Sequence, residues 1–313
     1  MLYVSTRNKT DSFTAHRTLC ADRSPDGGLF VPHMIPRFAP NGCFCNIVAD
    51  VLNLYFSTSL TQRDVELCIG RQPVRGKEMS YRLKILEFFH NPSGTYDYLE
   101  DNLYRKLAGA DAQDKPTLWA RIAIRMALLV AVCADITKEE YDEFDVSVNV
   151  GDFTTPMAVW YVREMGLPIG TIICCCNENG ATWDLIRRGE MHTGSATVNT
   201  GMPELDYGSP TALECLIYHK LGFDESIRYV QMCMQKRDYA IEKDQLATLS
   251  CGLSATVVSR DRIDGLINNI RTTSGHCLTD RAAISYGGVQ DYRSRSGESR
   301  NTMIFIDSDP SIN

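Results

Sequence analysis

Three groups of residues in this chain of 313 carry side chains that could do chemistry. The first is thiol. There are 12 cysteines, among them the run Cys174-Cys175-Cys176 and the pair Cys43-x-Cys45. Thiolates bind soft metals and exchange with disulfides. Consecutive residues of a strand point to opposite faces, so the triple run cannot place three sulfurs on one ion. It reads as a buried strand of small residues. Cys43-x-Cys45 lacks a second pair at zinc spacing, so no metal site is expected. The second group centres on Asp97, a carboxylate able to move protons. No paired acid or nucleophile stands near it, so it reads as a solvated helix residue. The third group is Arg293, Arg295 and Arg300, which could grip a phosphate. The Ser- and Gly-rich setting of residues 291–301 makes a solvated loop the expectation there.

Composition narrows the class. Lys plus Arg is 32 and Asp plus Glu is 39, a formal net charge of −7. Apolar residues are 44% and charged residues 23%, an ordinary globular balance that excludes a disordered chain or a disulfide-dense miniprotein. The acidic balance argues against nucleic-acid binding, which needs surplus Lys and Arg. No basic segment followed by an apolar run stands at the N-terminus, and no apolar stretch approaches the ~20 residues of a membrane span. Reduced thiols and a cytoplasmic protein are expected, with no membrane and no nucleic-acid partner.

These residues must be held by regular elements. Ser24-Pro25-Asp26-Gly27-Gly28 reads as a tight loop entering an extended Leu29-Phe30-Val31. Helical spacing is expected over 44–58, 61–69, 95–109 and 116–134, the last apolar nearly all round. Residues 82–90 read as a strand. A strand at 145–150, a helix at 155–166 and a strand at 169–176 make a βαβ unit, which implies a parallel sheet covered by helices. Helices are expected at 182–188, 210–221, 224–236, 240–247 and 254–270, and a last strand at 302–307.

Several pieces occur in one order: Val4-Ser5-Thr6-Arg7, then Ser24-Pro25-Asp26-Gly27-Gly28-Leu29-Phe30-Val31-Pro32, then KILEFFHNP at 84–92, LWARI at 118–122, SVNVGD at 147–152 and REMGLPIGTIICCCNEN at 163–179. The chain resembles threonine synthase, a pyridoxal phosphate (PLP) enzyme of the tryptophan synthase β-like, fold type II class. That family carries STRG, APDGGLYVP, FHGPT-x-x-FKD, NWARI, GNFG and MGLPI stretches, then TN-x-ND. The resemblance implies an α/β fold. Its large domain would be a three-layer parallel-sheet domain at 81–313, with a threonine-synthase-like N-terminal appendage at 1–80.

The family's chemistry rests on four parts, and the chain departs at each. The Schiff-base lysine position falls on Asp97, which cannot form an aldimine. His90 would stand beside the cofactor in an active relative, and without that lysine it reads as a hydrogen-bonded strand end. Lys84 and Lys106 are expected to point elsewhere. The loop that would cradle the cofactor phosphate on backbone N–H groups reads Gly151-Asp152-Phe153-Thr154-Thr155. Thr154 replaces its second glycine, and Asp152 adds negative charge. The terminal hydroxyl motif lines up with residues 306–313, its first Ser replaced by Ile306. The mobile small domain with its TSGDTG stretch is missing, and about twenty residues bridge the gap.

The resemblance therefore implies a threonine synthase-like protein that has lost PLP catalysis, a pseudoenzyme with a binding or assembly role and no cofactor. Gly151, Asp152, Phe153, Thr154 and Thr155 would be a relict phosphate loop. A homo-oligomer, or pairing with an intact threonine synthase, is expected, because losing the small domain would uncover the strands holding Ile85–Phe89 and Ile172–Cys176. Two alternatives remain open: PLP-dependent conversion of O-phosphohomoserine to threonine and phosphate, and a non-covalent small-ligand sensor.

Overall fold

In the computed structural model the described residues are 1–71, 73–80, 82–88, 96–137, 143–194 and 196–306. Their elements begin with β1 (Leu2–Ser5), β2 (Asn8–Thr14), α1 (Ala15–Cys20), β3 (Phe30–Pro32), α2 (Phe44–Phe56), α3 (Gln62–Ile69), β4 (Val74–Ser80), β5 (Leu83–Phe88), α4 (Tyr96–Ala108) and α5 (Leu118–Thr137). There follow β6 (Phe144–Asn149), α6 (Thr154–Glu164), β7 (Ile169–Cys176), α7 (Ala181–Arg188), β8 (Glu190–His192), α8 (Leu213–Leu221) and α9 (Phe223–Met234). The last are β9 (Asp238–Ala240), α10 (Lys243–Ser250), β10 (Leu253–Val257), α11 (Arg260–Ser274), α12 (Asp280–Ser296) and β11 (Thr302–Ile306). The chain divides into two compact units. Unit 1 is Met1–Arg75, Phe88–Asp142 and Met157–Pro168, and unit 2 is Gly76–Glu87, Glu143–Pro156 and Ile169–Asn313.

In unit 1 the Pro-Asp-Gly-Gly turn is pinned by one carboxylate. Asp26 Oδ1 accepts from Ser5 Oγ, Ser24 Oγ and the Gly28 N–H, each at 2.7 Å. Leu29 N–H donates to Thr6 Oγ1 at 2.8 Å. The Ser-Thr and Asp-Gly-Gly stretches are thus two halves of one hydrogen-bonded structure that sets β3 antiparallel to β1. Trp119, 1% exposed, is packed edge-on or tilted by Tyr3, Tyr55 and Tyr161, with ring centroids 5.2, 5.8 and 5.5 Å away. This aromatic cluster joins β1, α2 and α6 to the start of α5. Glu100 of α4 and Arg125 of α5 form a buried pair through two hydrogen bonds of 2.6 and 3.3 Å.

Residues 109–117 connect α4 to α5, and they are tied down. Tyr104 Oη donates to the Leu19 carbonyl at 2.8 Å and accepts from the Gln113 N–H at 2.9 Å. Thr117 Oγ1 donates to the Thr18 carbonyl, and the Leu118 N–H donates to Asp22 Oδ1.

Unit 2 is built on a six-stranded sheet ordered β10-β7-β6-β11-β5-β4. Its pairs from β10 through β5 are parallel, and β4 closes the edge beside β5. The fold is α/β with a mixed, mostly parallel sheet. Alternate residues Leu83 and Ile85, Ile173 and Cys175, Ile304 and Ile306 share one face. They form a core with Ile263, Leu266 and Ile270 of α11 and Ala282, Ile284 and Val289 of α12. The intervening Ile172, Cys174, Met303 and Phe305 are buried as well, which explains why these strands read as continuous apolar runs. Short antiparallel pairs β1–β2 and β8–β9 were not evident in the sequence.

Three expectations are corrected. Residues 254–257 belong to β10, and α11 begins only at Arg260. The polar stretch from 291 is not a loop as far as Ser296, where α12 ends. Arg293 and Arg295 are pins rather than solvated ends: Arg293 Nη2 reaches the Arg82 and Arg300 carbonyls, and Arg295 Nη2 the Ala255 carbonyl. Arg300 pairs with Asp145 and Glu143, each at 3.2 Å. The strands expected to lie uncovered are buried at Leu83, Ile85 and Leu86 and at Ile172–Cys176. No helix among the described residues is long and apolar enough to cross a membrane.

Helix α12 was hidden by Gly287-Gly288, a pair that weakens any isolated helix. The reason is the sheet beneath. A Cβ at Gly288 would stand 2.2 Å from Cys175 Sγ and 2.7 Å from Thr256 Oγ1. Gly288→Ala is expected to lower the unfolding free energy by about 1–3 kcal/mol through overpacking. Gly265→Ala in α11, where nothing lies within 4 Å, is expected to raise it by about 0.5–1 kcal/mol. Urea denaturation of the two variants checks both signs.

Candidate functional site

The residues of the expected phosphate loop lie where β6 hands over to α6. The Val150 N–H donates to the Cys175 carbonyl at 3.0 Å, which fixes the end of β6 against β7. Gly151 and Phe153 both take left-handed backbone, φ +47° and +72°. The Phe153 N–H donates back to the Val150 carbonyl at 2.8 Å, closing a tight turn. Phe153 is rare at such φ, and its side chain is held 1% exposed.

A helix start has unsatisfied N–H donors, and this is the end at which an anion would bind. Here the chain supplies the anion itself. Asp152 Oδ1 accepts the Thr154 N–H at 3.0 Å and the Thr154 hydroxyl at 2.6 Å. Thr154 is fully buried, and Pro156, third in α6, has no N–H to offer. The Gly151 Cα–H side faces the Glu204 carbonyl, with a Cβ position only 3.1 Å from that oxygen. The Asp152 carbonyl accepts from the Ala212 N–H at 2.9 Å. A carboxylate thus stands on an N–H that a phosphate cradle would offer to its ligand. The residues present do not fit a cofactor phosphate.

The other expected positions fall on separate elements. Asp97 falls on the first turn of α4, its side chain outside the described part, and His90 lies outside the described residues. Lys84 is inside β5 with its Nζ 3.7 Å from Glu78, and Lys106 pairs with Asp64 at 2.7 Å. Ile306 ends β11, is 1% exposed and packs in the α11–α12 core, while residues 307–313 lie outside the described residues. The cysteines behave as the period of a strand dictates. Cys175 faces α12 and contacts Ser147 Oγ at 3.3 Å, and burial pushes its thiol up to about 11. Cys174 and Cys176 lie on the opposite face, also raised by burial. Cys43 is exposed, whereas Cys45 is buried with its Sγ on the Gly70 carbonyl.

The Asn177-Glu178-Asn179 stretch is a clamp for the loop after β8. Asp206 Oδ1 accepts from Asn177 Nδ2, Asn179 Nδ2 and Thr200 Oγ1 at 2.7, 2.9 and 2.7 Å. Although partial burial raises it, these donors hold the Asp206 carboxyl below the usual range. Beside this clamp lies a cavity of about 470 Å³ lined by Glu178, Trp183, Asp184, His192, Val198 and Tyr207 among others. Its described lining includes none of Gly151 to Thr155. Sequence reading missed the clamp and the self-capping role of Asp152. The signal for the latter was present: an Asp side chain readily accepts the N–H two residues on, as an Asx turn.

The family described as threonine synthase N terminus matches residues 2–72. Threonine synthase-like 1 of Homo sapiens is 23% identical over 174 residues, 53% of this chain and 23% of that protein. Threonine synthase of Corynebacterium glutamicum is 28% identical over 142 residues, 42% of this chain and 29% of that protein. The chain thus spans less than a third of the length of these relatives. Among solved structures, PLP-bound threonine synthase from Brucella melitensis superposes with TM-score 0.81 at 16% identity, covering 99% of this chain and 89% of that one. Threonine synthase from yeast gives TM-score 0.82 at 14% identity, covering 99% and 87%. The fold is that of PLP fold type II. The chain is a distant homologue of threonine synthase-like 1 and of threonine synthase.

Asp152→Ala is expected to destabilise the protein by about 1 kcal/mol, the usual loss of a cap. It should also empty the anion seat. Inorganic phosphate is then expected to raise the melting temperature of the variant and leave that of the parent unchanged, as thermal melts across a phosphate series would show.

Proposed function

We propose that the chain is a threonine synthase-like protein that has left PLP catalysis and works by binding. Its partner would be a second copy of itself or an intact threonine synthase. The observation that carries this reading is the Asp152 carboxylate on the first N–H of α6, in the loop where the resemblance would seat the family's phosphate. Three features support it. Asp97 stands at the aligned lysine position, and Ile306 replaces the first serine of the terminal hydroxyl motif. The short connection 109–117 joins α4 to α5 where the family inserts its small domain. In this reading the large domain keeps the three-layer fold type II arrangement and the N-terminal region its appendage, while the small substrate-closing domain is missing. A non-covalent sensor would draw on the cavity beside Trp183 rather than on the loop.

The competing reading is conversion of O-phosphohomoserine to threonine and phosphate. It needs a lysine aldimine, and covalent catalysis needs nucleophile, anchored cofactor and closed site together. The test is incubation with PLP, borohydride reduction and intact-mass measurement with peptide mapping. No stoichiometric adduct is expected. One equivalent fixed on a single lysine would overturn the reading.

A further inference from the structure

Three zinc-ligand side chains converge on unit 1, and none belongs to the loop described above. His16 and Cys20 are four residues apart on α1, so they share a face one turn apart. Asp111 ends the single 3-10 turn after α4. Its Oδ2 lies 3.0 Å from His16 Nε2. Cys20 Sγ lies 3.7 Å from His16 Nδ1 and 3.8 Å from Nε2. The three ligand atoms all fall within 4.8 Å of one another, the one such group among the described residues.

These spacings can be compared with what a metal requires. Tetrahedral zinc, with Zn–N and Zn–O near 2.0–2.2 Å and Zn–S near 2.3 Å, sets its ligand atoms roughly 3.4 Å apart for N and O and roughly 3.6 Å for N and S. Measured from the one nitrogen that faces Asp111, His16 Nε2, the distances are 3.0 Å to Asp111 Oδ2 and 3.8 Å to Cys20 Sγ, one a little under and one a little over those edges. The frame is set independently of the ligands. Tyr104 bonds the Leu19 carbonyl on α1 and the Gln113 N–H beyond the turn, while Thr117 bonds the Thr18 carbonyl. His16 and Asp111 are exposed and Cys20 is half-buried, so an ion has a path from solvent.

We propose that His16, Cys20 and Asp111 form a zinc-binding site, with water as the fourth ligand. One nitrogen, one sulfur and one oxygen suit zinc better than magnesium or calcium, which prefer oxygen alone. On binding, the Cys20 S–H bond breaks, its proton leaves to solvent and a sulfur–zinc bond forms. No electrons are transferred. The ion would staple α1 to the connection between α4 and α5. Sequence reading weighed Cys43-x-Cys45 and overlooked the His-x-x-x-Cys spacing, whose third ligand is 91 residues further on.

The test uses the full, reduced, metal-free chain. It is titrated with Co²⁺ alone as a spectroscopic probe, then with Zn²⁺ in calorimetric competition. The expected result is one equivalent of Co²⁺ with a thiolate charge-transfer band and tetrahedral ligand-field absorption, both erased by Zn²⁺. Cys20→Ser is expected to abolish the charge-transfer band, and Cys43→Ser, at an exposed thiol, to leave it intact. His16→Gln and Asp111→Asn should each weaken Zn²⁺ binding at least roughly tenfold. Circular dichroism of each variant confirms that it folds. A parent without the band, a band that survives Cys20→Ser, or Zn²⁺ affinity unmoved by either other substitution would overturn the proposal.

Discussion

The constraint on which unit 2 turns is the junction between β6 and α6. A parallel pair requires a crossover, and β6–α6–β7 is one. The crossover helix must begin where the strand stops, so its exposed N–H groups need an acceptor at once. An anion-binding loop leaves them for a ligand. This chain answers them with Asp152, two residues before the first helical N–H it accepts. Once that carboxylate is in place, the tight turn at Gly151–Phe153, the buried Thr154 and the contact with Glu204 follow as packing of a self-contained loop. In the proposed reading this junction serves stability rather than cofactor binding.

The stretches that carry the family resemblance divide by role. Ser5 and Thr6 with Asp26, Gly28 and Leu29 make one hydrogen-bonded corner in unit 1. Trp119 anchors three tyrosines. Asn177 and Asn179 are bound to Asp206 in unit 2. Each is a framework element, and each keeps the residue types its geometry needs. In the proposed reading, the departures fall instead at the positions the resemblance assigns to the cofactor: Asp97, Asp152, Thr154 and Ile306.

Much of this was legible from periodicity and turn chemistry. The helices from 44, 62, 96, 118 and 154 and the strands at 83, 144, 169 and 302 lie within a few residues of their expected places, because each has a long apolar period and a clear stop. The failures have physical causes. Helix α12 contains a glycine pair that local propensity condemns and the neighbouring Cys175 demands. Strand β10 is five residues long and runs almost at once into α11, so the two periods merge in any window. The chemistry of the candidate loop was half legible: its composition marked Asp152 as foreign to a phosphate seat, but only the fold showed the carboxylate turned onto Thr154. Long-range groupings such as His16 with Asp111 leave no local pattern at all.

The central claim is that Asp152 already occupies the anion seat of α6. The most direct measurement is the amide resonance of Thr154 in protein labelled with ¹⁵N-threonine, followed as PLP is added at neutral pH. The account predicts a Thr154 resonance that does not move up to saturating PLP, because its N–H is committed to the carboxylate. A saturable shift of that resonance would contradict it, since the N–H would then be reaching the cofactor phosphate.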